Sequence, residues 1–192
     1  MSPRTLEQNT EIRAITRSKI LDASMKLFTQ NGYERTSVNA IAREAKISKG
    51  LIYNHFDTKE DIVRGIVDHL MEIGNQMVMP SNTEATPKEL LKYAIDNFFK
   101  WLHLEISQTS WLLPLAFQIG RYPFVSEMVS KKINFMVSNS TKIFTAMGYE
   151  DPERESWFFG ALLDGISMDA TLITNYDSKK MHTYIVKKYN LI

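Results

Sequence analysis

The sequence contains no cysteine, which excludes disulfide bonds, thiolate metal ligands and cysteine nucleophiles. It also lacks any long apolar run. The longest one, Trp111–Phe117, is far too short to span a bilayer. The residues before Ile20 are polar and charged, so we expect no signal peptide, no membrane contact and a cytoplasmic location.

Neither sign of charge dominates, because 23 Lys+Arg stand against 22 Asp+Glu and leave a net charge of +1. This average alone disfavours a strongly basic nucleic-acid-binding protein. The charge is unevenly distributed, however, since residues 1–60 carry +3 and residues 61–192 carry −2. The asymmetry indicates a polyanionic partner for the N-terminal segment.

No segment shows the alternating pattern of a β-strand, and apolar residues instead recur at helical spacing. The sequence therefore predicts an all-α protein. Its 192 residues, 44% of them hydrophobic, suffice for one domain or for a small domain fused to a larger one.

Caps, prolines and glycines place the helices. The clearest loop is Pro80–Pro87, and we expect a subdomain boundary near it. The predicted helices cover about Thr10–Gln30, a short segment capped by Ser37, Lys49–Asn54 capped by Ser48, a segment from Thr58 to before Pro80, a segment from Pro87 through Leu102, one from Pro123 to Gly148, one from Asp151-Pro152 to about Asn175, and one from Ser178 to about Tyr189.

The two short helices are separated only by Lys46 and Ile47, which predicts a helix-turn-helix over Ser37–His55. The exposed side of its second helix would carry groups that donate to phosphate oxygens and base edges. Glycine there allows close approach of a backbone. These residues are Ser48, Lys49, Gly50, Tyr53, Asn54 and His55.

The run Ile47-Ser-Lys-Gly-Leu-Ile-Tyr-Asn-His-Phe-Asp-Thr-Lys-Glu-Asp61 resembles the recognition helix of the TetR family of bacterial transcriptional repressors and the start of that family's fourth helix. Upstream, Gly32-Tyr33, Thr36 and the Ile41-Ala42 pair also follow the family pattern. The resemblance covers about residues 15–65. It implies a three-helix DNA-binding domain over residues 1–60 and a helical ligand-binding and dimerisation domain over residues 61–192.

The resemblance assigns roles to individual residues. Lys46 departs from the glycine frequent at its turn position; a left-handed lysine costs roughly 1–2 kcal/mol, and its ammonium could reach a phosphate. Phosphate contacts are implied for Thr36, Ser37, Ser48, Tyr53, His55 and Lys59, and base contacts for Lys49, Gly50, Leu51 and Asn54. The alternative for Tyr53 is a structural role of its phenol instead of a DNA contact. Phe56 is expected in the core. We expect no cofactor and no metal, since His55 has no second ligand at helical spacing.

The segment Trp157–Ile173 is apolar on nearly all sides, so more than one of its faces must be covered. We predict that this helix and the last one pair with a second subunit to form a homodimer. The alternative is a buried central helix of a monomer. The predicted interface residues are Ala161, Gly165, Leu172 and Tyr184.

An effector cavity in the bundle is implied by the family resemblance, and Pro114 marks an irregular place where it could open. Most of the aromatic candidates could equally be ordinary core, and Asp164 could serve an interface. The predicted lining consists of Phe98, Trp101, Trp111, Leu115, Phe117, Phe124, Met128, Asp164 and Met168.

These features together predict a homodimeric regulator that binds a near-palindromic operator in double-stranded DNA. We expect a repressor released by a small apolar or amphipathic effector. The alternative is a DNA-binding protein of the same fold controlled by a protein partner or by DNA alone. An enzyme is disfavoured, because the sequence has no nucleophile–base pair, phosphate loop or metal-ligand spacing.

Overall fold

The computed structural model describes residues 5–78, 84–104, 110–118 and 121–191. In these ranges the chain forms helices and no strands, which confirms the all-α prediction. No described helix is both long and apolar enough to cross a membrane. The helices are α1 Leu6–Arg35, α2 Val38–Glu44, α3 Lys49–Tyr53, α4 Lys59–Val78, α5 Pro87–Leu104, α6 Leu112–Ala116, α7 Pro123–Ala146, α8 Pro152–Leu172 and α9 Ser178–Lys188.

Helix α1 is longer at both ends than predicted. It begins with a capping box, in which the Thr5 backbone N donates to Gln8 Oε1 at 3.1 Å and the Gln8 backbone N donates to Thr5 Oγ1 at 3.2 Å. Gly32, just beyond the predicted end at Gln30, forms a kink with φ 77° and ψ 163°. Glycine adopts this conformation without a Cβ clash, so the helix resumes for one turn to Arg35.

Two further capping boxes fix the starts of α4 and α5 where the sequence predicts them. The Thr58 backbone N donates to Asp61 Oδ2, and the Asp61 backbone N returns a bond to Thr58 Oγ1, both at 3.0 Å. The hydrogen bond from Thr58 also lowers the pKa of the Asp61 carboxyl. Thr86 and Glu89 form the equivalent pair at 2.8 and 3.3 Å.

The chain divides into two compact units, Met1–His69 and Leu70–Ile192. The predicted domain boundary after residue 60 lies inside the first unit and stays a prediction. The core of the first unit is built from apolar residues of α1 to α4. Its fully buried members include Ile20, Phe28, Ile41, Ile52, Ile62, Val63 and Ile66.

The core of the second unit is formed by α5, α7, α8 and α9, with aromatic rings at its centre. The Phe144 ring packs against the rings of Phe159 and Tyr189, each at a centroid distance of 5.8 Å. Leu91 and Ile95 of α5 are fully buried in the same cluster. These contacts hold α8 and α9 on one body while leaving a side of each helix exposed.

The structure differs from the sequence predictions at the end of α8 and at Pro114. Helix α8 ends at Leu172 rather than near Asn175, which instead forms a turn at φ 63°. Pro114 lies within α6 and does not break it, because its missing N–H falls in the first turn, where no intrahelical partner exists. Residues 80–83 of the predicted loop lie outside the described residues.

Candidate nucleic-acid interface

Helices α2 and α3 form the predicted helix-turn-helix, and each begins with a serine cap. Ser37 Oγ accepts from the Ala40 backbone N, and Ser48 Oγ accepts from the Leu51 backbone N, both at 3.2 Å. Each bond satisfies one of the backbone donors left open at a helix N-terminus. Both serines are solvent-exposed, so the two helix starts lie at the surface with their hydroxyls accessible.

The turn between the helices is made by Lys46, whose φ of 56° is left-handed. The Ile47 backbone N donates to the Ala42 carbonyl at 3.0 Å and closes the end of α2. A non-glycine residue in this region costs roughly 1–2 kcal/mol. The Lys46 side chain is exposed, so the strained position places an ammonium at the surface beside the start of α3.

One side of α3 is buried and the other is free. Ile52 is only 1% exposed and anchors the helix to the first unit's core. Lys49 and Gly50 lie exposed on the other side. A Cβ built on Gly50 would meet no atom within 4 Å, so nothing inside the described unit requires glycine there. The position is therefore open for close approach by an external molecule.

Tyr53 and Asn54 continue the free side of α3. Tyr53 is 44% exposed, and Lys49 Nζ lies 5.7 Å from the centroid of its ring, a cation–π distance. Asn54 is also exposed. An ammonium, a phenol and an amide thus share one short surface, and this combination can bond phosphates and base edges.

His55 lies half-buried at the end of α3. Burial lowers the pKa of its imidazole, and the positive charges of Arg13 and Arg17 lower it further. His55 is therefore favoured in its neutral form, which retains a single N–H donor. It can contribute a hydrogen bond near this surface, but not a full positive charge at neutral pH.

Arg13 and Arg17 belong to α1 and were not among the predicted contact residues. Arg13 Nη2 donates to the Asn54 carbonyl at 3.4 Å, and the Arg17 guanidinium lies 5.4 Å from the centroid of the Phe56 ring. The sequence contained a usable signal, because these arginines continue the α1 stripe of Ile20 upstream at helical spacing. The structure adds two cations beside α3.

Two predicted phosphate contacts have internal roles instead. Thr36 is 1% exposed, and its Oγ1 donates to the carbonyl of Gly32 at 2.9 Å. Lys59 Nζ donates to the carbonyls of Tyr33 and Thr36 at 2.9 and 3.1 Å and lies 4.1 Å from the Tyr33 ring centroid. These bonds cap the end of α1. We therefore assign both residues to the fold and leave them out of the DNA-contacting set.

The predicted effector residues do not share one environment in the second unit. Trp111, Leu115, Phe124 and Met128 are buried, whereas Phe98 and Trp101 are half-buried against the core cluster. Three others are exposed, which corrects their prediction as lining residues of an interior cavity. These are Phe117, Met168 and Asp164, whose Oδ1 accepts a bond from Lys132 Nζ at 2.6 Å.

Helix α8 presents an apolar face to solvent beside α9. Phe159, Gly160 and Ile166 bury one side, so the helix is not enclosed on all sides within this chain. Lys188 of α9 lies 5.4 Å from the centroid of the Phe158 ring, which joins the exposed surfaces of the two helices. The exposed residues, which include all four predicted interface positions, are Trp157, Phe158, Ala161, Gly165, Met168, Leu172 and Tyr184.

Known proteins share both the sequence pattern and the fold. Residues 20–66 match the model described as bacterial regulatory proteins, tetR family. An HTH-type transcriptional repressor of Mycobacterium tuberculosis is 35% identical over 110 residues, which cover 57% of this chain and 55% of that protein. The chain thus spans about half the length of the curated relatives it matches.

Solved structures extend the likeness of fold over most of the chain. GusR of Salmonella enterica superposes with a TM-score of 0.71 at 20% identity, covering 91% of this chain and 95% of that one. The SmeT–triclosan complex has a TM-score of 0.71 at 18% identity, with coverages of 83% and 81%. Fold and site define a helix-turn-helix protein with a C-terminal helical bundle. Residues 20–66 carry the sequence pattern of the tetR family of bacterial regulatory proteins.

Proposed function

We propose that the protein is a sequence-specific DNA-binding transcriptional regulator that inserts α3 into the major groove. The observation that carries the proposal is the free side of α3, where Lys49, Gly50, Tyr53 and Asn54 are exposed while Ile52 fixes the helix to the core. A helix held in this way can present base-reading groups without losing its own packing. The repressor relative of Mycobacterium tuberculosis supports the same function.

In this proposal the contacts divide by chemistry. Lys49, Gly50, Leu51 and Asn54 face base edges, where an amide can pair with adenine and an apolar side chain can pack on a thymine methyl. The phosphates are held by residues at the starts of α2 and α3, in the turn and at the end of α3, and by one arginine of α1. These are Arg13, Ser37, Lys46, Ser48, Tyr53 and His55.

We propose that two copies pair through the apolar face of α8 and the adjoining surface of α9. Leu172 is 63% exposed and Tyr184 is 65% exposed, and an exposed apolar patch of this kind marks an interaction surface. Ala161 and Gly165, four residues apart on α8, allow a close approach of helix backbones. Residues 61–192 then serve dimerisation, and residues 1–60 serve DNA binding.

A symmetric dimer explains how a short helix achieves specificity. Two recognition helices about 34–36 Å apart reach successive major grooves on one side of the duplex. The operator is then a near-palindrome with half-sites about 10–10.5 base pairs apart. The partners in this proposal are therefore double-stranded DNA and a second copy of the chain.

The direct test is selection of bound DNA from a random-sequence pool. The wild-type protein should enrich one motif with inverted half-sites. The double variant Lys49→Ala, Asn54→Ala should lose the enrichment, since it removes two base-facing groups. The control variant Asn39→Ala, on the exposed side of α2, should enrich the same motif as wild type. If no motif is enriched by the wild-type protein, the proposal fails.

We further propose that a small apolar or amphipathic effector binds in the second unit and releases the operator, as expected of a repressor. Buried Trp111, Leu115, Phe124 and Met128 supply apolar lining, and a protein of the same fold is known as a complex with triclosan. Triclosan is therefore the first probe. It should raise the melting temperature and weaken operator binding; a rise in melting temperature with unchanged operator affinity contradicts release by the effector.

The second candidate is the same DNA-binding protein controlled by a protein partner or by DNA alone. The exposure of Phe117, Asp164 and Met168 favours it, since three residues predicted to line an effector cavity face solvent instead. A screen of apolar ligands in which none changes the melting temperature would favour this candidate. Catalysis forms no part of either candidate.

A further inference from the structure

A groove of about 510 Å³ runs between α5 and α9 in the second unit. This volume lies in the range of small-molecule sites in proteins. The groove is distinct from the apolar residues assigned above to the effector. Its lining consists of Lys92, Asp96, Phe99, Lys100, His103, Ser178, Lys179, His182 and Thr183.

The lining is cationic. Three lysines stand against one aspartate, which gives +2 with both histidines neutral. The single carboxylate is already engaged: Asp96 Oδ2 accepts from Lys92 Nζ at 2.6 Å, and Asp96 Oδ1 lies 2.7 Å from His182 Nε2. The remaining positive charge of the groove therefore has no counter-charge in the lining.

Lys100 of α5 and Lys179 of α9 carry this remaining charge. Within the part of the chain that the structure describes, neither ammonium forms an ion pair or a hydrogen bond. The nearby Asp177 carboxylate interacts with Lys179 electrostatically, but it pairs with Lys180 at 3.2 Å and caps α9. The two lysines come from different helices, so an anion between them would bridge α5 and α9.

The rest of the lining suits a compact ligand with a small hydrocarbon body. Phe99 is nearly buried, and its ring meets the His182 ring edge-on at 5.0 Å. Ser178 Oγ lies 3.1 Å from His103 Nε2. The groove thus offers an aromatic ring, hydroxyl groups and imidazoles in addition to its cations.

We propose that the groove binds a small multivalent anion, either a polycarboxylate or a phosphate compound. Ammonium groups bond both through charge-assisted hydrogen bonds, and two ammoniums on opposite walls favour an anion with more than one charge. Such a ligand ties α9 to α5 along the side of α9 that carries Lys179 and Thr183. The lining comes from one chain, so the proposal does not rest on the proposals for DNA binding and dimerisation.

Isothermal titration of the full-length protein with citrate and with inorganic phosphate, at constant ionic strength, tests the site. At least one of these probes should bind saturably to wild type. The double variant Lys100→Gln, Lys179→Gln should lose about tenfold or more in affinity, since it removes both charge-assisted hydrogen bonds to the anion. Saturation by citrate alone or by phosphate alone identifies which of the two chemistries the groove selects.

Two controls make the outcome decisive. Lys142→Gln, on the exposed surface of α7, removes a lysine outside the groove and should leave affinity unchanged. Asp96→Asn removes the carboxylate of the lining and should tighten anion binding. Unfolding curves recorded without anion test whether each variant is folded. Failure of both probes to saturate, or an equal loss in Lys142→Gln, overturns the proposal.

Discussion

The two units of this protein expose surfaces of opposite chemistry. The free side of α3 carries Lys49, Tyr53 and Asn54, whereas the free side of α8 carries Trp157 and Leu172. Both helices are anchored by a buried apolar side, so the difference lies only in what faces solvent. A cationic, hydrogen-bonding surface suits a polyanion, and an apolar one suits the matching face of a second copy.

This contrast explains why net charge is a poor guide here. The average of +1 combines a basic N-terminal segment with an acidic remainder. In the proposed dimer, two basic N-terminal segments would contact one DNA duplex, whereas the acidic remainder of each chain would not contact DNA. Function follows from where the charge lies on the folded surface rather than from its sum.

The largest effect should come from charging the apolar face of α8. The double variant Met168→Glu, Leu172→Glu places two carboxylates in the proposed interface, where they would be desolvated on pairing. We expect a monomer in sedimentation experiments and a loss of operator affinity of about 100-fold or more, since linked binding modules gain 10²–10⁴ over one alone.

The exposed residue Phe117 provides the matched control for this variant. Phe117→Glu adds a carboxylate outside the α8 face and should leave both the mass and the operator affinity unchanged. If the Met168→Glu, Leu172→Glu variant remains a dimer, the apolar face of α8 is not the dimer interface.

The next effect should come from Asn54→Ala on the free side of α3. Loss of a bidentate contact costs about 1–3 kcal/mol and relaxes specificity at one base position. Titration of operators changed at single base pairs measures this. Asn39→Ala serves as the control. If Asn54→Ala lowers the affinity for every operator by the same factor, Asn54 contacts a phosphate rather than a base.

A smaller effect, opposite in sign for folding and for binding, is expected from Lys46→Gly. Removing the left-handed lysine should raise the free energy of unfolding by about 1 kcal/mol. Loss of its phosphate contact should lower the salt dependence of operator binding by about one ion. Lys46→Ala retains the backbone strain, so it should lower the salt dependence of operator binding without raising the free energy of unfolding. If the salt dependence is unchanged in both variants, Lys46 does not contact a phosphate.

The smallest effect concerns the pH dependence that His55 gives the first unit. Burial and the charges of Arg13 and Arg17 lower the pKa of this histidine, so folding favours its neutral form. The stabilisation is present above the unfolded pKa of about 6.5 and is lost as the pH falls below it. Urea unfolding at pH 7.5 and 5.5 should show a slightly larger acid-induced loss in wild type than in His55→Gln; an equal loss would contradict the shift.

Most of the fold could be predicted because local signals agree with it. The boxes at Thr58–Asp61 and Thr86–Glu89 form as hydrogen bonds, and helical periodicity located α1 to α5 and α7 to α9. Boundaries were less certain, as the kink at Gly32 and the end of α8 show. These depend on how a chain end packs, which periodicity does not describe.

The exposed side of α3 could be predicted from the sequence, and the contacts of the residues around it less so. Thr36 and Lys59 match the family pattern, yet their polar atoms bond to main-chain carbonyls at the end of α1. Arg13 reaches Asn54 across 41 positions of sequence, and the groove joins Asp96 to His182 across 86. Contacts at such separations are set by helix packing rather than by local sequence.

Hydroxyl-radical footprinting on the selected operator tests the central claim most directly, because it measures how two α3 helices meet one duplex. The account predicts two protected regions on one side of the DNA, about 10–10.5 base pairs apart, and the loss of both in the double variant Met168→Glu, Leu172→Glu. A single protected region bound by one chain, or full protection by that variant, would contradict it.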